Sequence, residues 1–310
     1  MTDYRSSRAQ HLVSVSGGKD STSTYLLAME SGRPFRAVFA DTGNEHELTY
    51  EYVDRLAERT GGPAIEVVRA DFSQDLAKRK AYVLEQWPRD GIPEDIVNRA
   101  AALLKSTGFP FLDLCMAEQR FPSSQAQFCT SALKEIPIAI QMVGPMLRNG
   151  SVLQWLGIRS EESRRRAKQP RFNHHESGSM VWRPIFNWKL ADVWAIHRRH
   201  SLRPNPLYAM GFSRVGCRPC INCRKEEVRL WAMRFPVVVE IIREWEAIVA
   251  AVSKRQGASF FAPINGDVLP IDQVAEWSKT SRGGRQYAMF FDQQTGGGCG
   301  SDLGLCEAAA

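Results

Sequence analysis

Short, mostly apolar runs alternate with longer amphipathic segments through the first half of the chain. The runs predict strands at 12–15, 37–40 and 65–68, and the segments between them predict helices at 21–31, 46–60 and 73–86. Buried strands separated by helices are typical of a parallel sheet with right-handed crossovers. The predicted fold class is therefore α/β, a doubly wound parallel sheet whose strands end along one edge.

The pattern changes after Trp87 and Pro88. Helices are predicted at 93–105, 130–142 and 190–199, strands at 152–158 and 182–186, and an irregular excursion at 106–128. From about residue 202, prolines and glycines indicate loops before one or two helices over 224–252, which Pro236 interrupts, and a glycine-rich tail. The chain is therefore predicted to contain an α/β domain over 1–205 and a mostly helical, cysteine-containing part over 206–310.

The hexapeptide SGGKDS at residues 16–21 follows the first predicted strand and opens the first predicted helix. Two glycines let a ligand approach the backbone closely, and N–H groups at the start of a helix favour phosphate. Lys19 adds a positive charge and Ser21 a hydroxyl, whereas Asp20 suits a phosphate only with Mg²⁺ between them. The alternative is an ordinary turn in which glycine supplies a positive φ and Asp20 or Ser21 caps the helix.

Asp41 and Thr42 follow the second predicted strand. The carboxyl ends of parallel strands meet at one edge, so these residues are expected beside the hexapeptide. A carboxylate there binds Mg²⁺ or accepts a hydrogen bond from a ribose hydroxyl. Asp41 could also cap the following helix, and the two roles are compatible.

Five motifs together resemble the phosphoadenosine phosphosulfate (PAPS) reductase family and the wider superfamily of PP-loop ATP pyrophosphatases, which is adenine nucleotide alpha hydrolase-like. The motifs are SGGKDS at 16–21, FADTG at 39–43, CT and LK within 129–134, GIR and ES within 157–163, and GCRPC at 216–220. The Walker pattern GxxxxGK[ST] is absent. The resemblance implies a Rossmann-like fold that binds an adenine nucleotide.

The resemblance also implies roles for individual residues. The implied nucleotide-binding residues are Ser14, Ser16, Gly17, Gly18, Lys19, Asp20, Ser21, Asp41, Thr42, Gly157 and Arg159. Catalytic roles are implied for Lys19, Asp20 and Arg159, because the fixed donors of an arginine suit phosphate or sulfate oxygens. Arg164 is a second choice as the anion contact, and either arginine could instead be a surface charge.

Three cysteines, Cys217, Cys220 and Cys223, follow one another at the two-residue spacing typical of metal ligands. Adenosine phosphosulfate (APS) reductases bind a [4Fe–4S] cluster through a tandem cysteine pair and a later CxxC, and this resemblance adds Cys129, although Phe128 replaces one of the tandem pair. The predicted ligands of a [4Fe–4S] cluster, or alternatively of Zn²⁺, are Cys129, Cys217, Cys220 and Cys223, with Cys299 and Cys306 as other choices for the fourth ligand. Cys115, in an apolar run, is predicted to be a core residue.

Cys299 and Cys306 lie in the glycine-rich tail. PAPS reductases carry a nucleophilic cysteine on a C-terminal segment, so the resemblance implies Cys306 as a catalytic residue. The tail lacks the Glu-Cys-Gly-x-His form of that segment, and its cysteines could equally be metal ligands or have no role.

The intact hexapeptide separates the functional hypotheses. PAPS and APS reductases have a degenerate loop, since their nucleotide has no β,γ-pyrophosphate, whereas the intact form is associated with cleavage of ATP between the α- and β-phosphates. The leading hypothesis is therefore an enzyme that uses ATP and Mg²⁺ to activate a substrate for sulfur transfer. The alternatives are a reductase that releases sulfite from PAPS or APS, an ATP sulfurylase, and a zinc-stabilised module that binds nucleic acid.

Charge and hydrophobic content indicate which partners and which cellular compartment to expect. The 310 residues carry a net charge of +6, which favours polyanions, and the runs Arg164–Arg166 and Arg198–Arg203 are either solvated faces or contacts to nucleotide or nucleic-acid phosphates. No apolar run approaches the roughly 18 residues of a membrane span, and the polar first residues resemble no signal peptide, so a soluble, cytoplasmic protein is expected. A thiol or sulfur donor protein is a further expected partner, and the oligomeric state stays open.

Overall fold

The computed structural model describes residues 9–262 and 268–280. Its strands are β1 (Gln10–Val15), β2 (Phe35–Asp41), β3 (Ile65–Arg69), β4 (Val152–Trp155), β5 (Phe172–His174) and β6 (Met180–Trp182). They form a six-stranded sheet in the order β3-β2-β1-β4-β6-β5. All neighbouring strands are parallel except β5, which is antiparallel to β6. The predicted α/β class is confirmed, and the strand order reverses between β1 and β4.

Helices cover both faces of this sheet and continue beyond it. The first six along the chain are α1 (Lys19–Glu30), α2 (Glu47–Asp54), α3 (Leu56–Thr60), α4 (Ser73–Arg89), α5 (Glu94–Leu103) and α6 (Pro110–Glu118). Residues 128–147 form short helices α7 (Phe128–Thr130), α8 (Ile136–Ile138) and α9 (Gly144–Leu147), joined by π-helical turns. The rest are α10 (Arg164–Ala167), α11 (Leu190–Arg199), α12 (Pro206–Ala209), α13 (Lys225–Arg234), α14 (Pro236–Ala251) and α15 (Ile271–Ser278). No helix in these residues is long and apolar enough to cross a membrane.

Alternate residues of β1 face opposite layers of the molecule. Val13 packs with Tyr25 of α1 in one buried cluster, whereas Leu12 packs with Ile138 and Met142 in another. Side chains alternate between the faces of a strand, so both faces of β1 are covered, as a doubly wound sheet requires. The loop that follows β1 is consequently held between two helical layers.

A third hydrophobic cluster joins the helices outside the sheet. It combines Trp87 and Phe111 from α4 and α6 with Trp231 and Trp245 from α13 and α14. The cluster thus contains residues from both sides of position 205. The division of the chain into 1–205 and 206–310 stays a prediction.

The strand predicted at 152–158 ends at Trp155, and the helix predicted at 46–60 is divided into α2 and α3. Three other predicted segments differ from the structure for a reason that involves proline. The excursion at 106–128 contains α6, because Pro110 occupies the first helical turn, where its missing N–H costs nothing. The strand predicted at 182–186 ends at Trp182, since Pro184 cannot donate to a sheet. The helix at 130–142 contains π-helical turns around Pro137, which cannot donate the N–H of a regular helix.

Candidate functional site

The hexapeptide forms a tight loop between β1 and α1. Gly17 has φ +76°, and a Cβ atom there would lie 2.8 Å from Thr49 Cγ2, so both its conformation and its surroundings require glycine. The Ser21 hydroxyl donates to the Gly18 carbonyl (3.1 Å) and accepts from the Ser16 N–H (3.0 Å). The loop therefore closes on the Ser21 side chain, and α1 begins at Lys19 with its N–H groups directed toward the strand end.

Lys19, Asp20 and Arg159 form a buried charged group at the start of α1. Arg159 Nε donates to Asp20 Oδ1 (2.5 Å), and Lys19 Nζ lies 3.1 Å from Asp20 Oδ2. Burial opposes ionisation of Asp20, but the nearby charges of Lys19 and Arg159 and their hydrogen bonds outweigh it and lower its pKa. Asp20 is thus an anion held between two cations, and Arg159 also contacts Glu161 through Nη1 (2.7 Å).

Gly157 brings the end of β4 against the same loop. A Cβ atom at Gly157 would lie 2.7 Å from the Ser21 nitrogen and 2.8 Å from the Asp20 carbonyl carbon and oxygen. Only a residue without a side chain allows this approach, which carries Arg159 to Asp20. Ligands of doubly wound sheets bind where the strand order reverses, and this loop lies at that position between β1 and β4.

The predicted nucleotide residues outside the hexapeptide and the Gly157–Arg159 segment make local contacts. Asp41 Oδ1 accepts from the Tyr50 hydroxyl (2.7 Å) and the Gly43 N–H (2.8 Å). The Thr42 hydroxyl donates to Glu45 (2.7 Å). Both side chains therefore organise the loop after β2. Ser14 lies within β1, and its buried hydroxyl has no hydrogen-bond partner among the residues described.

Three residues in or next to α11 and α12 contact the backbone of the hexapeptide, and the sequence analysis did not predict them. The Tyr208 hydroxyl accepts from the Lys19 N–H (2.8 Å), and Asn205 Nδ2 donates to the Gly17 carbonyl (3.3 Å). His197 Nε2 lies 3.1 Å from the Lys19 carbonyl oxygen, and burial lowers the pKa of its imidazole. For Asn205 the sequence does contain a signal. An Asn-Pro pair is typical of a helix start, and Asn205 caps α12, which has proline in its first turn.

The predicted metal ligands surround two small cavities of about 20 Å³ each. Cys217 and Cys220 line both, Cys129 lines one of them, and Cys223 lines the other. Burial raises the pKa of the Cys223 thiol, and Cys115 lies in the hydrophobic core as expected.

The donor atoms suit zinc or an iron–sulfur cluster. However, across 9–262 and 268–280 no three His, Cys, Asp or Glu side chains are placed to coordinate a metal. The metal therefore stays a prediction. Cys299 and Cys306 lie outside the described residues.

The cysteine loop contacts the loop after β2. The Arg218 N–H donates to the Asn44 carbonyl (2.7 Å), and Glu45 forms an isolated antiparallel bridge with Cys217. Asn44 also lines the cavity that contains Cys129. The cysteines are consequently next to the sheet edge that carries the hexapeptide.

The arginine runs are partly neutralised. Arg166 pairs with Glu162 (2.7 Å), and Arg199 pairs with Glu30 (2.7 Å). These pairs favour a structural role for the two arginines over contact with a nucleic acid.

The fold and the loop define a nucleotide-binding protein with a Rossmann-like sheet. The family model of the phosphoadenosine phosphosulfate reductase domain matches residues 10–223. The chain therefore belongs to the PAPS reductase family, which confirms the resemblance of its motifs. Membership indicates an enzyme that uses an adenine nucleotide.

The chain is also similar to individual proteins. The chain is 39% identical over 324 residues to the "Uncharacterized 37.8 kDa protein in gpa 5'region" of Escherichia phage 186, with 96% of each chain covered. It is 26% identical over 187 residues to the adenosine 5'-phosphosulfate reductase of Bacillus pumilus, covering 60% of this chain and 62% of that relative. A crystal structure of PAPS reductase from Candida auris in a phosphate complex matches with TM-score 0.40 and 17% identity, covering 67% of this chain and 81% of that one.

Proposed function

We propose that this enzyme binds ATP at residues 16–21, cleaves it between the α- and β-phosphates, and so activates a substrate for sulfur transfer. The observation that carries the proposal is the complete loop, with Gly17 and Gly18 leading into Lys19 where the strand order reverses. A nucleotide without β- and γ-phosphates has no need of this cradle. The intact form is the one that the resemblance associates with ATP.

Backbone N–H groups and the Lys19 ammonium are proposed to bind the pyrophosphate portion of ATP. Ser21 closes the loop through Gly18 and Ser16, so its role is to keep those donors in place. Arg159 donates to Asp20 through Nε and to Glu161 through Nη1. These two hydrogen bonds hold its guanidinium group beside the loop. Its charge would stabilise the negative charge that develops as the α–β bond breaks.

Mg²⁺, when it binds with ATP, would neutralise phosphate charge, and proteins usually hold it with one or two carboxylates plus the substrate phosphates. Asp20 already contacts two cations, Lys19 and Arg159. Asp41 is less enclosed and is half-buried at the same sheet edge. These two carboxylates fit the small protein contribution that a substrate-bound Mg²⁺ needs.

The proposed reaction balances as two displacements. A substrate oxygen attacks the α-phosphorus, the α–β bridging bond breaks, and pyrophosphate leaves with the bonding electrons. A hydrosulfide ion from a sulfur donor then attacks the substrate carbon that carries the adenylated oxygen, the C–O bond breaks, and AMP leaves with that oxygen and the bonding electrons. The cysteines at 129, 217 and 220 line a cavity together with Thr42 and Asn44, which follow β2.

Product analysis with ATP labelled in the α-phosphate tests the proposal. The protein, with Mg²⁺, a thiol donor and a nucleic-acid extract as acceptor, is expected to form AMP and pyrophosphate. Lys19→Met is expected to lower the rate at least about 100-fold, because it removes a charge positioned at the reacting group. Lys78→Met, on the exposed surface of α4, is the matched control and should keep the rate.

Two results would contradict this function. Sulfite release from PAPS without ATP cleavage would establish the reductase alternative. Salt-sensitive nucleic-acid binding with no turnover of either nucleotide would establish the binding module.

A further inference from the structure

Tyr208 is placed where a phosphate oxygen is expected. Lys19 is the first residue of α1, and its N–H belongs to the first helical turn, whose donors receive no partner from the helix itself. The Tyr208 hydroxyl accepts from that N–H at 2.8 Å. A bound pyrophosphate group and this hydroxyl therefore require the same donor.

The tyrosine is held in this position by its surroundings. It belongs to α12, whose cap Asn205 is 1% exposed and donates both to Gly17 of the loop and to Thr49 (3.3 Å each). The rings of Tyr208 and Trp194 pack edge to face, with their centroids 5.6 Å apart. The Lys19 ammonium lies 5.6 Å from the centroid of the Tyr208 ring. The hydroxyl accepts from the loop backbone, and the ring contacts Trp194 and the Lys19 ammonium, so replacing tyrosine by phenylalanine removes the hydroxyl and keeps the ring.

We propose that Tyr208 is a specificity-determining residue, whose hydroxyl competes with phosphate for the Lys19 N–H and must leave it when a pyrophosphate-bearing nucleotide binds. The proposal rests on the function proposed above, in which the β- and γ-phosphates occupy the loop. Under that function the α-phosphate lies outside the loop, so a nucleotide with only an α-phosphate leaves the Lys19 N–H to Tyr208. Tyr208 therefore lowers affinity for ATP and pyrophosphate and leaves affinity for AMP unchanged.

The variant Tyr208→Phe isolates this effect, because phenylalanine keeps the ring beside Trp194 and Lys19. Calorimetric titration of the full chain with pyrophosphate, ATP and AMP measures it without turnover. One displaced hydrogen bond corresponds to a gain of about twofold to tenfold in affinity. The expected result is tighter binding of pyrophosphate and ATP by that factor and the same Kd for AMP. Tyr82→Phe, on the surface of α4, is the control and should change none of the three constants.

Several results would overturn the proposal. Unchanged or weaker binding of pyrophosphate by Tyr208→Phe would show that the hydroxyl does not compete. An equal gain for AMP would show a general change of the site and no discrimination. Absence of pyrophosphate binding in both the wild type and the variant would overturn the proposed function as well, so the two failures are distinguishable.

A structure of the wild-type protein with pyrophosphate tests the same point without any variant. A phosphate oxygen should lie within hydrogen-bond distance of the Lys19 nitrogen, and the Tyr208 hydroxyl should have moved away from it. A Tyr208 hydroxyl that still accepts from Lys19 beside bound pyrophosphate would refute the competition.

Discussion

Replacing Arg159 by methionine should destabilise the protein because it leaves Asp20 with one cation fewer in a buried setting. Arg159 is 4% exposed and Asp20 is 1% exposed. Removing one member of a buried ion pair costs roughly 3–5 kcal/mol, because the remaining charge stays desolvated. Lys19 still lies 3.1 Å from Asp20 and compensates part of that loss, so we expect about 3 kcal/mol. Urea unfolding at pH 7 measures this difference.

The pH dependence of this loss follows from the pKa of Asp20. Its folded-state pKa is lowered from 3.8, so the ion pair stabilises the protein fully above that pH and loses its contribution as pH falls through the lowered value. The Arg159→Met variant should therefore approach wild-type stability at acid pH. The double variant with Asp20→Asn should recover part of the loss at pH 7, because no unpaired carboxylate remains.

Arg243→Met is the control, since Arg243 and Asp272 form a pair that is about half exposed on both sides. Solvent screens such pairs, and the change in stability should be much smaller. Equal losses for Arg159→Met and Arg243→Met, or a loss independent of pH, would refute the role assigned to the buried pair.

Three further predictions concern the loop, a buried histidine and the cysteines. Gly157→Ala should lower the rate of nucleotide cleavage about 100-fold, because the added Cβ collides with backbone atoms of Asp20 and Ser21 and displaces the loop. Gly257→Ala is the control and should keep the wild-type rate, since the nearest atom to its added Cβ lies 3.8 Å away. Burial lowers the pKa of His197 from 6.5, so the stability of the wild-type protein should fall as pH drops below that value. The urea midpoint of His197→Gln should therefore vary less between pH 5 and 7 than that of the wild type. The same pH dependence in both proteins would contradict this. Metal content after anaerobic purification should fall in Cys217→Ser and persist in Cys115→Ala, and equal content in both variants would remove Cys217 as a ligand.

The core strands could be predicted because buried strands leave a local signal. Runs such as 37–40 are apolar throughout, and β2 forms there with one or two more residues at each end. The three-residue strand β5 is too short for any period to be recognised. The helix α6 was missed since a proline is a helix breaker in the interior but a good first residue.

In the candidate site, too, residues with a local sequence signal could be predicted and residues without one could not. Glycines and charged residues of one continuous motif, such as Gly17 and Lys19, could be chosen from the sequence. The partners of that motif come from distant positions: Tyr208 and His197 reach Lys19 only because α11 and α12 pack against α1. Pairing of Arg159 with Asp20 likewise depends on β4 lying next to β1.

The most direct test of the central claim is a crystal structure of the protein with Mg²⁺ and a non-hydrolysable ATP analogue. We predict that the β- and γ-phosphates lie against the backbone N–H groups of residues 17–21, with Lys19 and Arg159 beside them. The opposite, amino-terminal edge of the sheet offers a rival anion site, a cavity of about 520 Å³ lined by His11, Arg33 and Arg36. Phosphates in that cavity, with the hexapeptide left empty, would contradict the account.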